Sequence, residues 1–230
     1  NYMSVPFLKS VVRRLSHYKI NVLHLHLSDD PGWRVEVNKY PELTVETSFW
    51  PTRQPGKFYT QEDIKSICDF CDSLNIRVIP EIDMPGHSAA FRKAIGKDMQ
   101  TPEGMQVLKE ALDEIIPLFK DSLFHIGSDE VHFKMKEFMP EMIRYVRSKG
   151  KQVVVWYPGY APDSNAVRMC WGEYEAGYSL DKSAPYIDCN GFYMDWMDSQ
   201  GGVLQTFFQY PCEVPQAGGC LLYTSPSPRD

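Results

Sequence analysis

Short apolar runs alternate along this chain with amphipathic stretches, and that alternation constrains the fold more than any single residue. VPFLKSVVRRLSHYK (5–19) has apolar positions at helical spacing, and NVLHLHLS (21–28) follows as a strand. YTQEDIKSICDFCDSLN (59–75) is again amphipathic, with Thr60 as N-cap and Asp63 three residues on, close to a capping box. RVIPEIDM (77–84) reads as a strand, PEGMQVLKEALDEIIPLF (102–119) as a helix and LFHIGSDE (123–130) as a strand. KEFMPEMIRYVRSKG (136–150) is a helix with Gly150 as its stop. KQVVVWY (151–157), AVRMCWGE (166–173) and YIDCNGFYM (186–194) read as further strands.

Strands interleaved with helices imply βαβ units and a parallel sheet, hence an α/β fold. The strands are nearly continuous in apolar residues, as expected when both faces are covered. Two arrangements compete, a doubly wound sheet and a (β/α)₈ TIM-type barrel. No glycine-rich phosphate loop follows the first strand, which weakens the nucleotide-binding sheet. Polar and aromatic residues gather where strands end: Asp29 and Asp30; Glu81, Asp83 and His87; Asp129 and Glu130; Trp156; Trp171; Tyr193 and Asp195. Barrel enzymes build their sites on that rim, so the expectation is a barrel with one shared site.

Composition narrows the function classes. The chain has 230 residues, 43% hydrophobic and 13% aromatic, as a packed globule requires. Its net charge of −6 and scattered acids argue against nucleic acid as a partner. No stretch approaches the roughly 20 apolar residues of a membrane helix. Cys68 and Cys71 form a lone CxxC inside a helix-like stretch and read as core or surface thiols, not as a zinc or redox motif. After Gln216 the composition changes. Residues 217–230, AGGCLLYTSPSPRD, are rich in Gly, Ser and Pro without period and read as a disordered or non-native tail. The partial catalytic barrel is therefore assigned to residues 1–216.

The stretch FHIGSDEV (124–131) sets two acids side by side at a strand end. Neighbours point to opposite sides of a regular strand, so Asp129 and Glu130 both face inward only where the strand has stopped. Even then they approach a ligand from one side. Glycoside hydrolysis with two opposed carboxylates needs them about 5 Å or more apart across the scissile bond. Adjacent acids suit a mechanism in which the second group is not the nucleophile. Tryptophans near a carboxylate pair suit a sugar, whose ring faces stack on aromatics while its hydroxyls bind acids.

HLHLSDDPGWR (24–34), VIPEIDMPGH (78–87) and FHIGSDEV together resemble the signature segments of glycoside hydrolase family 20, the β-N-acetylhexosaminidases. The resemblance runs from Asn1 to about Asp195. That family usually has a second glycine where this chain has Ser128. The resemblance implies a retaining, substrate-assisted reaction that releases terminal GlcNAc or GalNAc from glycans. The substrate's own 2-acetamido oxygen attacks the anomeric carbon and gives an oxazolinium-type intermediate. It also implies roles: Asp129 orients the acetamido N–H, Glu130 is general acid and then base, and Asp29 with His87 forms the pair behind the acid. By the same resemblance Trp156 and Trp171 wall the acetamido group, Tyr193 bonds its oxygen, and Asp195 holds a sugar hydroxyl. One acid then has to be ionised and the other protonated, which proximity promotes. No cofactor and no metal is expected. The partner is a carbohydrate ending in N-acetylhexosamine.

The same resemblance puts an arginine before Asn1 on a first strand, and a tryptophan and glutamate on an eighth, none of which has a match here. The expectation is an incomplete barrel, lacking its first and eighth strands, cut from an active hexosaminidase. Two rivals remain. HLH on a strand fits a metal-dependent barrel hydrolase, and a pocket without the arginine fits a non-catalytic glycan-binding module. His24, His26 and His125 read as strand packing residues, Asp30, Trp33 and Arg34 as loop braces, Glu81 and Asp83 as supporting acids, and Cys170 and Cys189 as core.

Overall fold

The computed structural model describes residues 2–157, 159–160, 166–170, 186–189 and 219–220. Its elements follow the sequence periodicity. Helix α1 (Val5–Ser16) is followed by strand β1 (Val22–His26) and a hairpin of β2 (Ser28–Asp29) and β3 (Gly32–Trp33). Then come α2 (Gln61–Ser73), β4 (Arg77–Glu81), α3 (Ala89–Ile95), α4 (Pro102–Ile115), β5 (Leu123–His125) and α5 (Phe138–Ser148). Strands β6 (Gln152–Tyr157), β7 (Val167–Cys170), β8 (Tyr186–Asp188) and β9 (Gly219–Cys220) follow. The Gly219–Cys220 strand falls in the stretch that the sequence reading leaves out of the fold.

The main sheet is parallel, in the order β1-β4-β5-β6-β7-β8-β9. Within this sheet each strand pairs with the sheet's next strand along the chain, and the order never reverses. A doubly wound sheet needs a reversal, so this is the single winding of a barrel wall. Among the described residues β1 and β9 are its two edges.

Local chemistry sets the helix ends. Thr60 Oγ1 accepts from the Asp63 N–H at 3.0 Å and the Asp63 carboxylate accepts from the Thr60 N–H at 3.0 Å, a full capping box at α2. Thr101 caps α4, where Pro102 opens the first turn. Past α5, Gly150 takes φ +80°, and its N–H bonds the Arg147 carbonyl.

Strand alternation sorts side chains onto two faces. Leu23, Leu25, Val78, Phe124, Val153 and Val155 turn to the helix layer, where Ile64, Ile67, Leu108, Leu112, Met142 and Val146 complete the main core. Cys68 and Cys71 belong to it, and burial pushes their thiols up to about 12 and about 11. On the other face Val154, Val167, Met169 and Ile187 form a smaller apolar cluster. Nearer the strand ends that face carries His24, His26, Glu81, His125 and Trp156. No helix among the described residues is long and apolar enough to cross a membrane.

Candidate active site

Strand β5 stops at His125, five residues short of the expected Glu130. The reason is backbone conformation: Gly127, Ser128 and Glu130 have φ of +65°, +97° and +46°. At Gly127 no side chain fits, because a Cβ there would lie 1.7 Å from Asp83 Oδ1. Ser128 is held in a region that L side chains rarely adopt, buried, with its Oγ 3.3 Å from the Trp156 carbonyl. These reversals carry both acids to one side.

Asp129 and Glu130 converge on one imidazole nitrogen. Asp129 Oδ2 is 3.8 Å and Glu130 Oε2 3.5 Å from His87 Nε2. The Glu130 side chain is 61% exposed, that of Asp129 18%. The other nitrogen, His87 Nδ1, is 3.5 Å from Asp29 Oδ1. All four side chains line one cavity of about 300 Å³, together with His26, Asp83 and Trp156. The sequence-derived set Asp29, His87, Asp129, Glu130 and Trp156 is thus gathered in one place. Trp171, Tyr193 and Asp195 lie outside the described residues.

The loop braces anticipated from sequence are found as such. Asp30 Oδ1 accepts the Ala89 N–H at 2.8 Å at the start of α3. Arg34 donates to the carbonyls of Gln54, Lys57 and Arg53, at 2.9, 2.7 and 2.5 Å. Trp33 Nε1 donates to the Val35 carbonyl.

His24 and His26 are more than packing residues. Both face Glu81, which is fully buried: His24 Nε2 is 2.8 Å and His26 Nδ1 3.0 Å from its Oε2. Glu81 Oε1 accepts from the Trp156 indole N–H at 2.7 Å. Three rings pack behind it: His125 stacks on His24 at 4.9 Å between centres and meets Trp156 at a tilt, 4.7 Å away. The sequence held a signal for this: His24, His26, Glu81 and Asp83 have the strand parity that puts them on the inner face.

Burial and charge set the protonation states. Burial opposes a charge on Glu81, but the imidazoles of His24 and His26 at its carboxylate outweigh it and hold its pKa well below the ordinary carboxylate range. His125 stays neutral: burial pushes its pKa down to about 3, and its Nδ1 accepts the Gly127 N–H at 3.0 Å. Burial also opposes the His26 imidazolium, but bonds to Asp29 and Glu81 raise its pKa to about 10. Asp29 is held well below its usual value, as His26 and His87 overcome its burial. The bond to Asp29, against burial, lifts His87 to about 9. Two residues from Glu81 the outcome inverts. Asp83 is pushed up to about 8 by burial and by the charges of Asp129 and Glu81. Burial likewise pushes Asp129 up, with His87 pulling the other way and Glu81 and Glu130 adding to the push.

Among the described residues three groups have ligand atoms close enough to share a cation: His24, Glu81 and His125; Asp29, Asp30 and His87; Asp83, His87 and Asp129. In the first, His125 Nδ1 is taken by the Gly127 N–H and one Glu81 oxygen by Trp156. The carboxylates of all three already face imidazoles.

The model of glycosyl hydrolase family 20, catalytic domain, matches residues 1–137, which include the acid pair. The chain belongs to this family. A β-hexosaminidase of Vibrio furnissii is 32% identical over 205 residues, 64% of this chain and 34% of that protein. Flavobacterium johnsoniae chitobiase, at 27% identity, superposes with a TM-score of 0.74 over 86% of this chain and 37% of its own. The family 20 exo-β-N-acetylglucosaminidase of Vibrio harveyi, solved with N-acetylglucosamine, gives 0.68 at 25% identity, over 82% of this chain and 39% of its own. The chain therefore spans about a third of the length of the curated relative it matches. These neighbours and the single winding of the sheet fit an incomplete family 20 barrel.

Proposed function

We propose that this chain carries the acid pair of a retaining β-N-acetylhexosaminidase, which releases terminal GlcNAc or GalNAc from glycans by substrate-assisted catalysis. The observation that carries the reading is the convergence of Asp129 and Glu130 on His87 from one side of a cavity that Trp156 also lines. Two carboxylates on one side cannot act as acid and opposed nucleophile. The attacking group then comes from the sugar, through its 2-acetamido oxygen. A nucleophile tethered in the substrate avoids the entropy of a bimolecular encounter, worth up to about 7–11 kcal/mol in ideal geometry.

Glu130, the more exposed acid, protonates the leaving oxygen and later takes a proton from water. His87 faces it, backed by Asp29, so that a charge forming on Glu130 meets an imidazolium. Asp129 accepts the acetamido N–H. Burial alone disfavours its anion, and that donated hydrogen bond restores it. Trp156 supplies an apolar wall for the acetamido methyl. By the family resemblance Trp171, Tyr193 and Asp195 complete the sugar contacts. Similarity to a glucosaminidase solved with N-acetylglucosamine supports the substrate class.

The test is substitution in the full-length protein with aryl β-N-acetylglucosaminides. Glu130→Gln should lose about 10²–10⁴ in rate on poor leaving groups, the usual worth of general acid help, and far less on activated ones. Asp129→Asn should impair both. Equal loss from Glu130→Gln across leaving groups contradicts the acid assignment.

A further inference from the structure

We propose that His26 is a positioning residue. Its imidazole bridges Glu81 and Asp29 and so joins the indole of Trp156 to the Asp29–His87 pair in one chain of alternating charge. The geometry is continuous. Trp156 Nε1 donates to Glu81 Oε1 at 2.7 Å, and Glu81 Oε2 faces His26 Nδ1 at 3.0 Å. His26 Nε2 lies 3.7 Å from Asp29 Oδ2, and Asp29 Oδ1 lies 3.5 Å from His87 Nδ1. His87 Nε2 then meets Glu130 and Asp129. From Glu81 to His87 each group has the opposite sign to the next, so attraction sets these side chains along the line, and the neutral indole is held at its end by a hydrogen bond.

The surroundings of His26 explain why it carries the bridging charge. Asp29 faces it from β2, Glu81 from β4, and Asp83 from just beyond β4; His24, on its own strand, shares the Glu81 carboxylate. A neutral side chain there would leave Glu81, which is fully buried, with less to balance it. Half exposed and lining the cavity, His26 can be replaced without opening a hole in the core. Its effect reaches the chemistry through other groups. It fixes the wall residue on one side and the ionised state of Asp29 on the other.

The kinetic arm rests on the hexosaminidase reading, and the spectroscopic arm does not. In the full-length protein, nitrogen NMR of labelled imidazoles should show His26 doubly protonated through pH 8. In Glu81→Gln it should titrate at least one unit lower. His26→Gln keeps a hydrogen-bonding group and loses the charge. Removing that cation makes the carboxylates that share the cavity easier to protonate, so the acidic limb of kcat/KM should move up by about one pH unit. The KM for an aryl N-acetylglucosaminide should also rise, by about threefold to tenfold as Trp156 loosens. A simple loss of stability would lower the melting point without moving the limb.

A His26 resonance that titrates near 6.5 in the unmodified protein overturns the ion chain, whatever the variants do. So does an acidic limb unmoved in His26→Gln. If the unmodified protein cleaves no N-acetylhexosaminide, the functional reading fails by itself, and the NMR titration still decides the chain. Should Glu81→Gln not fold, the unmodified protein and His26→Gln carry the test.

Discussion

Phe124 and His125 are neighbours on one strand, and both are fully buried. Phe124 joins a core of aliphatic and aromatic side chains under the helices. His125 packs among the rings of His24 and Trp156, beside a buried carboxylate. The outer face of this sheet is held by apolar burial, which is non-directional and tolerant. The inner face at the strand ends is held by charges that must match in sign, number and place. Stability should reside mainly on the first face and activity on the second.

The largest expected effect is Phe124→Ala. Emptying that site should cost about 3–5 kcal/mol in chemical unfolding. If the loss is under about 1 kcal/mol, the outer face does not dominate stability.

Asp83→Asn should go the other way. The folded pKa of about 8 lies above the 3.8 of the free side chain, so the native state holds a proton that the unfolded chain releases. Stability is therefore lost as pH rises from about 4 to 8. An amide has no proton to lose, so the variant should gain on the parent steadily as pH rises from about 4 to 8. A gain that does not grow with pH would show that Asp83 is not protonated in the folded state.

Ser128→Gly is smaller. Glycine takes φ +97° without strain, which should add about 1 kcal/mol to stability and preserve activity. A separate pH dependence comes from His26 and His87. Their folded values of about 10 and about 9 exceed the ordinary 6.5. Their contribution is complete below about pH 6.5 and fades as pH climbs through 9 to 10. A melting curve measured across that range should show a decline that His26→Gln flattens.

The outer face was largely legible in the sequence. Helical spacing placed α1, α2, α4 and α5, and Thr60 with Asp63 marked a capping box that is present. Strands whose apolar runs are covered on both sides gave their positions but not their ends. The expected strand over 123–130 stops at His125 because three positive φ angles turn the chain. The β2–β3 hairpin and α3 have no periodic signal, being short and fixed by contacts from elsewhere, such as Asp30 on the Ala89 N–H. On the inner face, motif resemblance singled out Asp29, His87, Asp129, Glu130 and Trp156, which share one cavity. It passed over His24 and His26, because a histidine inside a strand carries no mark of its partner. Glu81, their partner, lies over fifty residues away, and only the β1–β4 pairing of His26 with Glu81 makes the link visible.

The most direct test of the central claim is the rate dependence on the sugar's N-acyl group. Aryl substrates bearing acetyl, fluoroacetyl, difluoroacetyl and trifluoroacetyl amides would be compared in kcat/KM on the full-length protein. If the amide oxygen attacks, each fluorine withdraws electrons from the nucleophile and the rate falls steeply along the series. A flat series would mean that the nucleophile is some other group, and the reading of Asp129 and Glu130 as servants of the substrate's own amide would fail.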